Sequence, residues 1–312
     1  MVLRPLRAAL LSLGAALFLV AGCQAPGHQA TAPAPPDPRP LDGVLAYSER
    51  DERALWTAEE NAVRACMRAR GHTYRTGEEP GDRRIAGDSP FALLRPEAAR
   101  GDGYGLTSEL LAGPPPDPNA GHLASLTPQQ EERWRVALLG ELKNHREITL
   151  PDGLVVSHDP ASCVSRAQAE VYGEQWQELY YAMQQLSNGI IQATQESAPF
   201  RRAQRAWGRC MKERGHQYRT LEEPRQEIRA LLAKAGPGDD PALRAAGARE
   251  LDLAKDDLAC QLDTGLHAAV RDAEAEAGPA LVEASKAEVE RYGEAREAAL
   301  SALGRQASPP PG

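Results

Sequence analysis

The sequence is short of aromatic residues and of lysine. It has 3 Phe, 4 Trp and 8 Tyr among 312 residues, too few for the core of a large β-sandwich or for a surface that stacks on sugar rings. The formal net charge is −8, and the chain has no long run of Lys and Arg. These features argue against a general nucleic-acid-binding protein, because a protein with this negative net charge would repel nucleic acid.

What the sequence does contain favours helices. Ala and Leu are abundant, and 42% hydrophobic with 26% charged residues is a composition typical of globular domains. We therefore predict an all-α fold.

The N-terminus has the pattern of a bacterial lipoprotein signal peptide. Arg4 and Arg7 precede an apolar stretch over residues 8–20, and the stretch leads into Val20-Ala21-Gly22-Cys23. We expect residues 1–22 to be cleaved and the Cys23 thiol to carry the lipid, with palmitate as a typical acyl chain. This predicts attachment to a cell membrane, on its extracytoplasmic face, through the covalent lipid on Cys23. An ordinary secretory signal followed by a chance cysteine is the alternative.

Residues 23–45 form a proline-rich linker after the lipidated cysteine. Six prolines fall within residues 24–40, a composition that cannot bury a core. An extended chain of ~3 Å per residue would hold the folded part away from the bilayer. We also predict that residues 306–312 form a disordered tail.

The remaining four cysteines are an even number, as expected in an oxidising compartment. They are Cys66, Cys163, Cys210 and Cys260, and they allow three disulfide pairings. We expect nearest neighbours to pair, Cys66 with Cys163 and Cys210 with Cys260. The chain has no C-x-x-C motif, which argues against a thiol oxidoreductase or a zinc ribbon.

An internal repeat organises the rest of the chain. Residues 65–80 (ACMRARGHTYRTGEEP) and 209–224 (RCMKERGHQYRTLEEP) are identical at 11 of 16 positions without a gap. We predict a duplication with one helical unit over 46–196 and a second over 197–305. The first unit carries an insertion, 77–125, that we expect to be partly irregular.

The repeat also predicts where helices end. Gly71 and Gly215 suit the position just after a helix, where glycine readily adopts a left-handed backbone. Farther along, we predict a helix from Asp159-Pro160 through Ile190 and another from Asp239 to Leu303 that ends or kinks at Gly278-Pro279.

Between the insertion and the second cysteine, the sequence predicts one more helix and one hairpin. Thr127-Pro128 is a typical helix start. Residues 148–156, around Pro151-Asp152-Gly153, have the pattern of a β-hairpin.

The order of several motifs resembles a group of secreted or lipid-anchored proteins of high-GC Gram-positive bacteria with repeated Cys-Met-x-x-x-Gly-x-x-Tyr motifs. The motifs are Tyr104-Gly105, Asp117-Pro118-Asn119, 126–140, Ser162-Cys163, Tyr172-Gly173, Trp207, Cys210-Met211, Gly215, Tyr218, Ala254, Asp257 and Cys260. A ratio of 31 Arg to 5 Lys suits a high-GC source. The resemblance implies the compartment and the fold, and it implies no activity.

The loops after the two glycines hold the candidate ligand-binding residues. They are His72, Tyr74, Arg75 and Glu78 in the first loop and His216, Tyr218, Arg219 and Glu222 in the second. The structural alternative is that His and Tyr pack against the disulfides and that Arg and Glu form surface ion pairs. If the copies packed about a pseudo-twofold axis, the two loops would line one cleft.

No motif indicates catalysis. Ser157-His158-Asp159 lacks the nucleophile elbow of a hydrolase, and no ligand spacing such as H-E-x-x-H occurs, so we assign no catalytic residue, metal or cofactor. We expect a lipid-anchored extracytoplasmic helical binding or scaffolding protein of the cell envelope, with an envelope protein or a cell-wall component as its partner. The alternative is a metal-dependent hydrolase or metal-handling lipoprotein that uses the repeated His/Glu loops.

The lipid anchor gives the first testable prediction. Replacing Cys23 with serine removes the thiol that attacks the lipid donor, so Cys23→Ser should abolish incorporation of labelled fatty acid and leave the precursor uncleaved. Metabolic labelling and the mobility of the protein on a gel measure both effects. Labelling that persists in the variant would show that another residue carries the lipid.

Overall fold

The computed structural model of the chain describes residue 41 and residues 48–77, 89–150, 153–235 and 240–307. Cys23, the predicted signal peptide, the linker up to residue 40 and Glu78 lie outside these residues. The regular structure is mostly helical, which confirms the predicted class. Its elements are α1 (Glu49–Ala69), α2 (Pro96–Gly101), α3 (Leu106–Ala112), α4 (Ala120–Leu123), α5 (Pro128–Leu139), β1 (Arg146–Thr149), β2 (Val155–His158), α6 (Cys163–Tyr172), α7 (Trp176–Glu196), α8 (Ala198–Glu213), α9 (Glu223–Lys234), α10 (Asp240–Asp263), α11 (Leu266–Ala284) and α12 (Lys286–Ala307).

Helices α1 and α8 end with the same backbone geometry. Gly71 and Gly215 both have positive φ, 77° and 90°. In each case the next residue donates its backbone N–H to a carbonyl inside the helix, at 2.9 Å to Met67 in α1 and at 2.9 Å to Met211 in α8. This is the Schellman arrangement that the two glycines predict. The duplication behind the shared geometry stays a prediction.

Two disulfides fix these helix ends to other helices. Cys66 in α1 is bonded to Cys163, the first residue of α6, with 5.5 Å between the Cα atoms. Cys210 in α8 is bonded to Cys260 in α10, with 5.6 Å between the Cα atoms. The predicted nearest-neighbour pairing is confirmed.

Each disulfide lies in its own hydrophobic cluster. The first cluster surrounds Cys66–Cys163 and joins α1, α5 and α6, with Met67 and Trp134 among its buried members. The second surrounds Cys210–Cys260 and joins α8, α9, α10 and α11. At about 25 cal/mol per Å² of apolar surface, such burial is the main stabilising contribution to the fold.

The insertion between the first and second cysteines contributes to the second cluster. Phe91, Leu93, Leu94 and Tyr104 are buried there beside Trp207, and both α2 and α3 pack against α10. The insertion therefore contains three short helices, α2, α3 and α4, and packs on residues of the second predicted unit. The apolar residues of the insertion favour a buried position, but the residues that they pack against lie far away in sequence.

Further packing joins the two predicted units. In the third cluster, Met183, Leu186 and Ile190 of α7 meet Val289 of α12. Helix α12 also packs against α1 and α6. The second half of the chain thus supports the helix that carries the first repeated motif.

Two of the predicted long helices are interrupted at other places than expected. The helix placed from Asp159 to Ile190 begins at Cys163 and is split into α6 and α7, because Gly173 adopts a φ of 101°. The helix placed from Asp239 to Leu303 breaks at Gly265 and at Ser285, whereas Pro279 lies inside α11. Gly265 has a left-handed backbone, and the proline only removes one backbone donor. The predicted hairpin is confirmed as β1 and β2.

The disulfides give the second prediction. We expect Cys66→Ala with Cys163→Ala, and separately Cys210→Ala with Cys260→Ala, to lower the free energy of unfolding by about 2 to 5 kcal/mol, because each bond restricts a long loop of the unfolded chain. Denaturant titration measures the loss. Peptide mapping without reductant should recover the two pairs, and a peptide that joins Cys66 to Cys210 would contradict this structure.

Candidate functional site

The two repeated loops lie against different hydrophobic clusters. Tyr74 of the first loop packs on the Cys66–Cys163 cluster, and Tyr218 of the second packs on the Cys210–Cys260 cluster. The groove beside His72 has no lining residue from the second loop. The described residues therefore do not bring the two loops into the single cleft considered from the sequence.

A groove lies along the last two turns of α1 and the loop that follows, and we call it the α1 groove. It has a volume of about 320 Å³, at the lower end of the range for small-ligand sites. Its lining residues are Asn61, Arg64, Ala65, Arg68, His72, Thr73 and Tyr74. The lining thus contains two arginines and a histidine and no carboxylate.

The wall of the groove formed by the loop is held by aromatic stacking and hydrogen bonds. Tyr74 stacks on Trp134, with 6.1 Å between the ring centroids, and the indole N–H of Trp134 donates to the Thr73 carbonyl at 2.7 Å. The Tyr74 hydroxyl donates to Glu60 at 3.2 Å. Burial, followed by the charge of Glu60, raises the pKa of Tyr74, so this hydroxyl stays a donor.

The next residue of the loop is fixed by an asparagine side chain. The backbone N–H of Arg75 donates to Oδ1 of Asn119 at 2.8 Å, and Nδ2 of Asn119 donates to the Arg75 carbonyl at 3.0 Å. The Asn119 side chain thus pairs with the loop as a neighbouring strand would. The side chain of Arg75 remains exposed.

His72 lies in a positive environment. Partial burial, then the charges of Arg133, Arg70 and His122, lower the pKa of His72. Arg70 donates to the carbonyl oxygens of Ala137, at 3.2 Å, and of Ala161. Within the described part of the chain, no carboxylate forms a hydrogen bond or ion pair with the His72 ring.

The histidine of the second loop has a carboxylate partner. Nε2 of His216 lies 3.0 Å from Asp256, and Arg214 lies 3.2 Å from the same carboxylate and 3.4 Å from Asp263. Burial alone would raise the pKa of Asp256, but its hydrogen bonds with His216 and Arg214 lower it. The protein itself therefore provides acidic partners for His216 and Arg214.

The other candidate residues of the second loop form local contacts. The Tyr218 hydroxyl donates to Glu227, and burial, followed by this bond, raises the pKa of Tyr218. Glu222 forms an ion pair with Arg229. The Arg219 side chain is 93% exposed and lies 4.0 Å from Glu223.

A buried polar network to which the sequence analysis gave no role lies in the second cluster. The fully buried carboxylate of Asp257 accepts hydrogen bonds from Tyr104 at 3.0 Å, from the Trp207 indole at 2.8 Å and from Gln261 at 2.9 Å. The guanidinium of Arg225 lies 4.7 Å from the centre of the Tyr104 ring. Tyr104, Trp207 and Asp257 belong to the motifs of the resemblance, which is the one signal that could have indicated them.

Gln261 extends this network to the insertion and to α11. Its Oε1 accepts from the backbone N–H of Leu94 at 2.9 Å, and its Nε2 donates to the Ala92 carbonyl at 3.2 Å. Nε2 of His267 lies 3.0 Å from the same Oε1. Because Oε1 can only accept, His267 donates from Nε2, and its buried Nδ1 has no partner.

Two other features, a metal-binding cluster and a membrane-spanning helix, are absent from the described residues. These residues contain no group of three or more His, Cys, Asp and Glu side chains suited to hold a metal ion. None of their helices combines the length and the apolar character that crossing a membrane requires.

No family model, curated protein or solved structure matches the chain. The function is therefore argued from the α1 groove and its surroundings.

The third prediction concerns His267 and pH. Burial and then the charge of Arg271 lower the pKa of His267 from 6.5 to about 4, because a proton on Nδ1 would find no acceptor. Between these two values the unfolded chain binds more protons than the folded chain. The stability should therefore fall as the pH falls through this window.

Denaturant titration at about pH 7 and about pH 5 measures this loss. In His267→Gln, the difference between the two pH values should shrink, while His145→Gln, just before β1, should behave as the wild type. An equal loss in wild type and His267→Gln would show that another group causes the acid sensitivity.

Proposed function

We propose that this protein is a lipid-anchored binding or scaffolding protein on the extracytoplasmic face of a cell membrane, and that its ligand binds in the α1 groove. The observation that carries the proposal is a cationic groove of about 320 Å³ at the disulfide-bonded end of α1. Binding residues are commonly found on loops that a rigid scaffold positions. The Cys66–Cys163 bond, the Tyr74–Trp134 stack and the Asn119 hydrogen bonds supply that rigidity here.

The cysteine pairs support the proposed compartment and anchor. Disulfides form and persist mainly in extracytoplasmic, oxidising environments. The four cysteines of the helical part are bonded to one another. Cys23 is the fifth cysteine of the sequence, and these pairs leave its thiol for the lipid.

A binding role agrees better with the repeated loops than a shared metal site does. His216 is engaged by Asp256 at 3.0 Å, and each loop packs on its own cluster. A metal site made from both histidines would require these contacts to be broken. We therefore place the ligand at the first loop and give the second loop a structural role.

The fourth prediction tests the binding role in intact cells. A photo-reactive residue such as p-benzoylphenylalanine in place of Thr73, which lines the groove, should form crosslinks to an envelope component. The same residue in place of Gln217 is the matched control, because Gln217 is aligned with Thr73 and is also exposed. We expect crosslinked species from position 73 and none from position 217.

Equal crosslinking from both positions, or from neither, would contradict binding in the α1 groove. Measuring the metal content of the purified protein tests the alternative function. Stoichiometric zinc or copper that is lost in His72→Ala with His216→Ala would favour the metal-dependent reading instead.

A further inference from the structure

The two copies of the repeated motif place their histidines in different environments. His72 and His216 hold aligned positions in the repeat and follow the same helix end. His216 lies 3.0 Å from the Asp256 carboxylate. Its counterpart has no such partner within the described residues, so the first site lacks an anion that the second site contains.

Asp159 holds the position in the first copy that Asp256 holds in the second, but its carboxylate binds other groups. Asp159 precedes Cys163 by four residues, as Asp256 precedes Cys260. Its Oδ2 accepts from the backbone N–H of Glu141 at 2.9 Å and its Oδ1 from that of Ala161 at 2.8 Å. These bonds hold the turn before α6, and they leave the carboxylate committed to backbone donors.

The cations of the first site also lack an acidic partner among the residues that line the groove. Arg64 and Arg68 lie one turn apart on the exposed face of α1, where like charges repel. Arg64 donates to the neutral amide of Asn61 at 2.8 Å, which supplies no negative charge. Glu60, near the same wall, accepts hydrogen bonds from Tyr74 and from the backbone of Gly77. The groove therefore brings cations together without a lining carboxylate.

We infer that the α1 groove binds a phosphate group, with Arg64 and Arg68 as its cationic donors. His72 would face the phosphate as His216 faces Asp256 at the second site. The inference rests on the proposed function and adds the chemical class of the ligand. A guanidinium presents a planar fork of N–H donors that matches phosphate oxygens. At the second loop, two carboxylates, Asp256 and Asp263, face His216 and Arg214. The two arginines and the histidine of the α1 groove likewise suit an anion that carries more than one negative charge.

The size of the groove fits a phosphate that is part of a larger molecule. About 320 Å³ is more than an inorganic phosphate fills, and sites of this volume hold small organic ligands. Bound phosphate would also change the titration of His72. The neighbouring cations that lower the pKa of this ring would be offset by the anion, so the pKa of His72 should rise on binding.

The test is a calorimetric titration of the mature full-length chain, in detergent micelles, with inorganic phosphate. Phosphate should bind at one site. Arg64→Gln with Arg68→Gln removes both charge-assisted donors, and we expect the affinity to fall about tenfold or more. The control is Arg209→Gln with Lys212→Gln, which removes the same charge from exposed positions of α8, one residue before and two residues after Cys210. It should leave the affinity unchanged.

Histidine-selective labelling gives a second readout that is specific to the site. NMR titration of the rings should show the pKa of His72 rising with phosphate while the His216 signal stays constant. Because the arginines are exposed on α1, circular dichroism should show the wild-type helix content in both double variants.

Several outcomes would overturn the inference. They are an absence of phosphate binding, equal binding in the Arg64→Gln/Arg68→Gln variant, or acetate binding as tightly as phosphate at the same ionic strength. Phosphate binding that arises only after Glu78→Gln with Glu79→Gln would show that the chain's own carboxylates fill the groove, which also overturns it. Crosslinking from position 73 without phosphate binding would leave the proposed function standing and reject only the ligand class.

Discussion

The buried carboxylate of Asp257 connects six separate segments of the chain. It accepts from Tyr104, from Trp207 of α8 and from Gln261 of α10, and Gln261 in turn binds the backbone at 92–94 and His267 of α11. Arg225 of α9 stacks on Tyr104. Burial raises the pKa of Asp257, and a buried carboxylate is costly unless donors surround it. The packing of the second half depends on keeping these donors in place.

The same packing supports the groove at a distance. Helix α11, which carries His267, packs on α7, and α7 packs on α12, which contacts α1. The ion pair between Arg296 of α12 and Glu52 of α1 adds to this contact. At the other end of α1, the disulfide to Cys163 and the hydrogen bonds of the loop fix the groove walls. A helix held at both ends can keep two repelling arginines on one exposed face.

The features predicted correctly are those set by local chemistry. Gly71 and Gly215 indicate helix ends because a positive φ favours glycine, and the cysteine that precedes each of them pairs with the next cysteine along the chain. The position of the insertion could not be predicted, because Phe91 and Tyr104 find their partners in α8 and α10, more than a hundred residues away. The break at Gly265 was missed because Pro279 gave the stronger signal. The sequence analysis named His72 and Tyr74 as candidates because the repeat marks them, whereas Arg64 and Arg68 resemble any charged solvent-facing helix surface until the groove is seen.

The net charge of the whole chain affects how an anion would approach the proposed site in the α1 groove. With a net charge of −8, the molecule repels anions over most approaches, and removal of Arg4 and Arg7 with the expected signal peptide would make it more acidic. A concave site lined by cations focuses the local potential, so we expect the α1 groove to attract an anion in spite of the net charge. At the second loop, Asp256 and Asp263 pair with Arg214, and Asp256 also pairs with His216, the counterpart of His72. The two loops therefore differ in whether the described part of the protein places a carboxylate beside the histidine, and that difference is the reason why we propose the first loop, and not the second, as the ligand site.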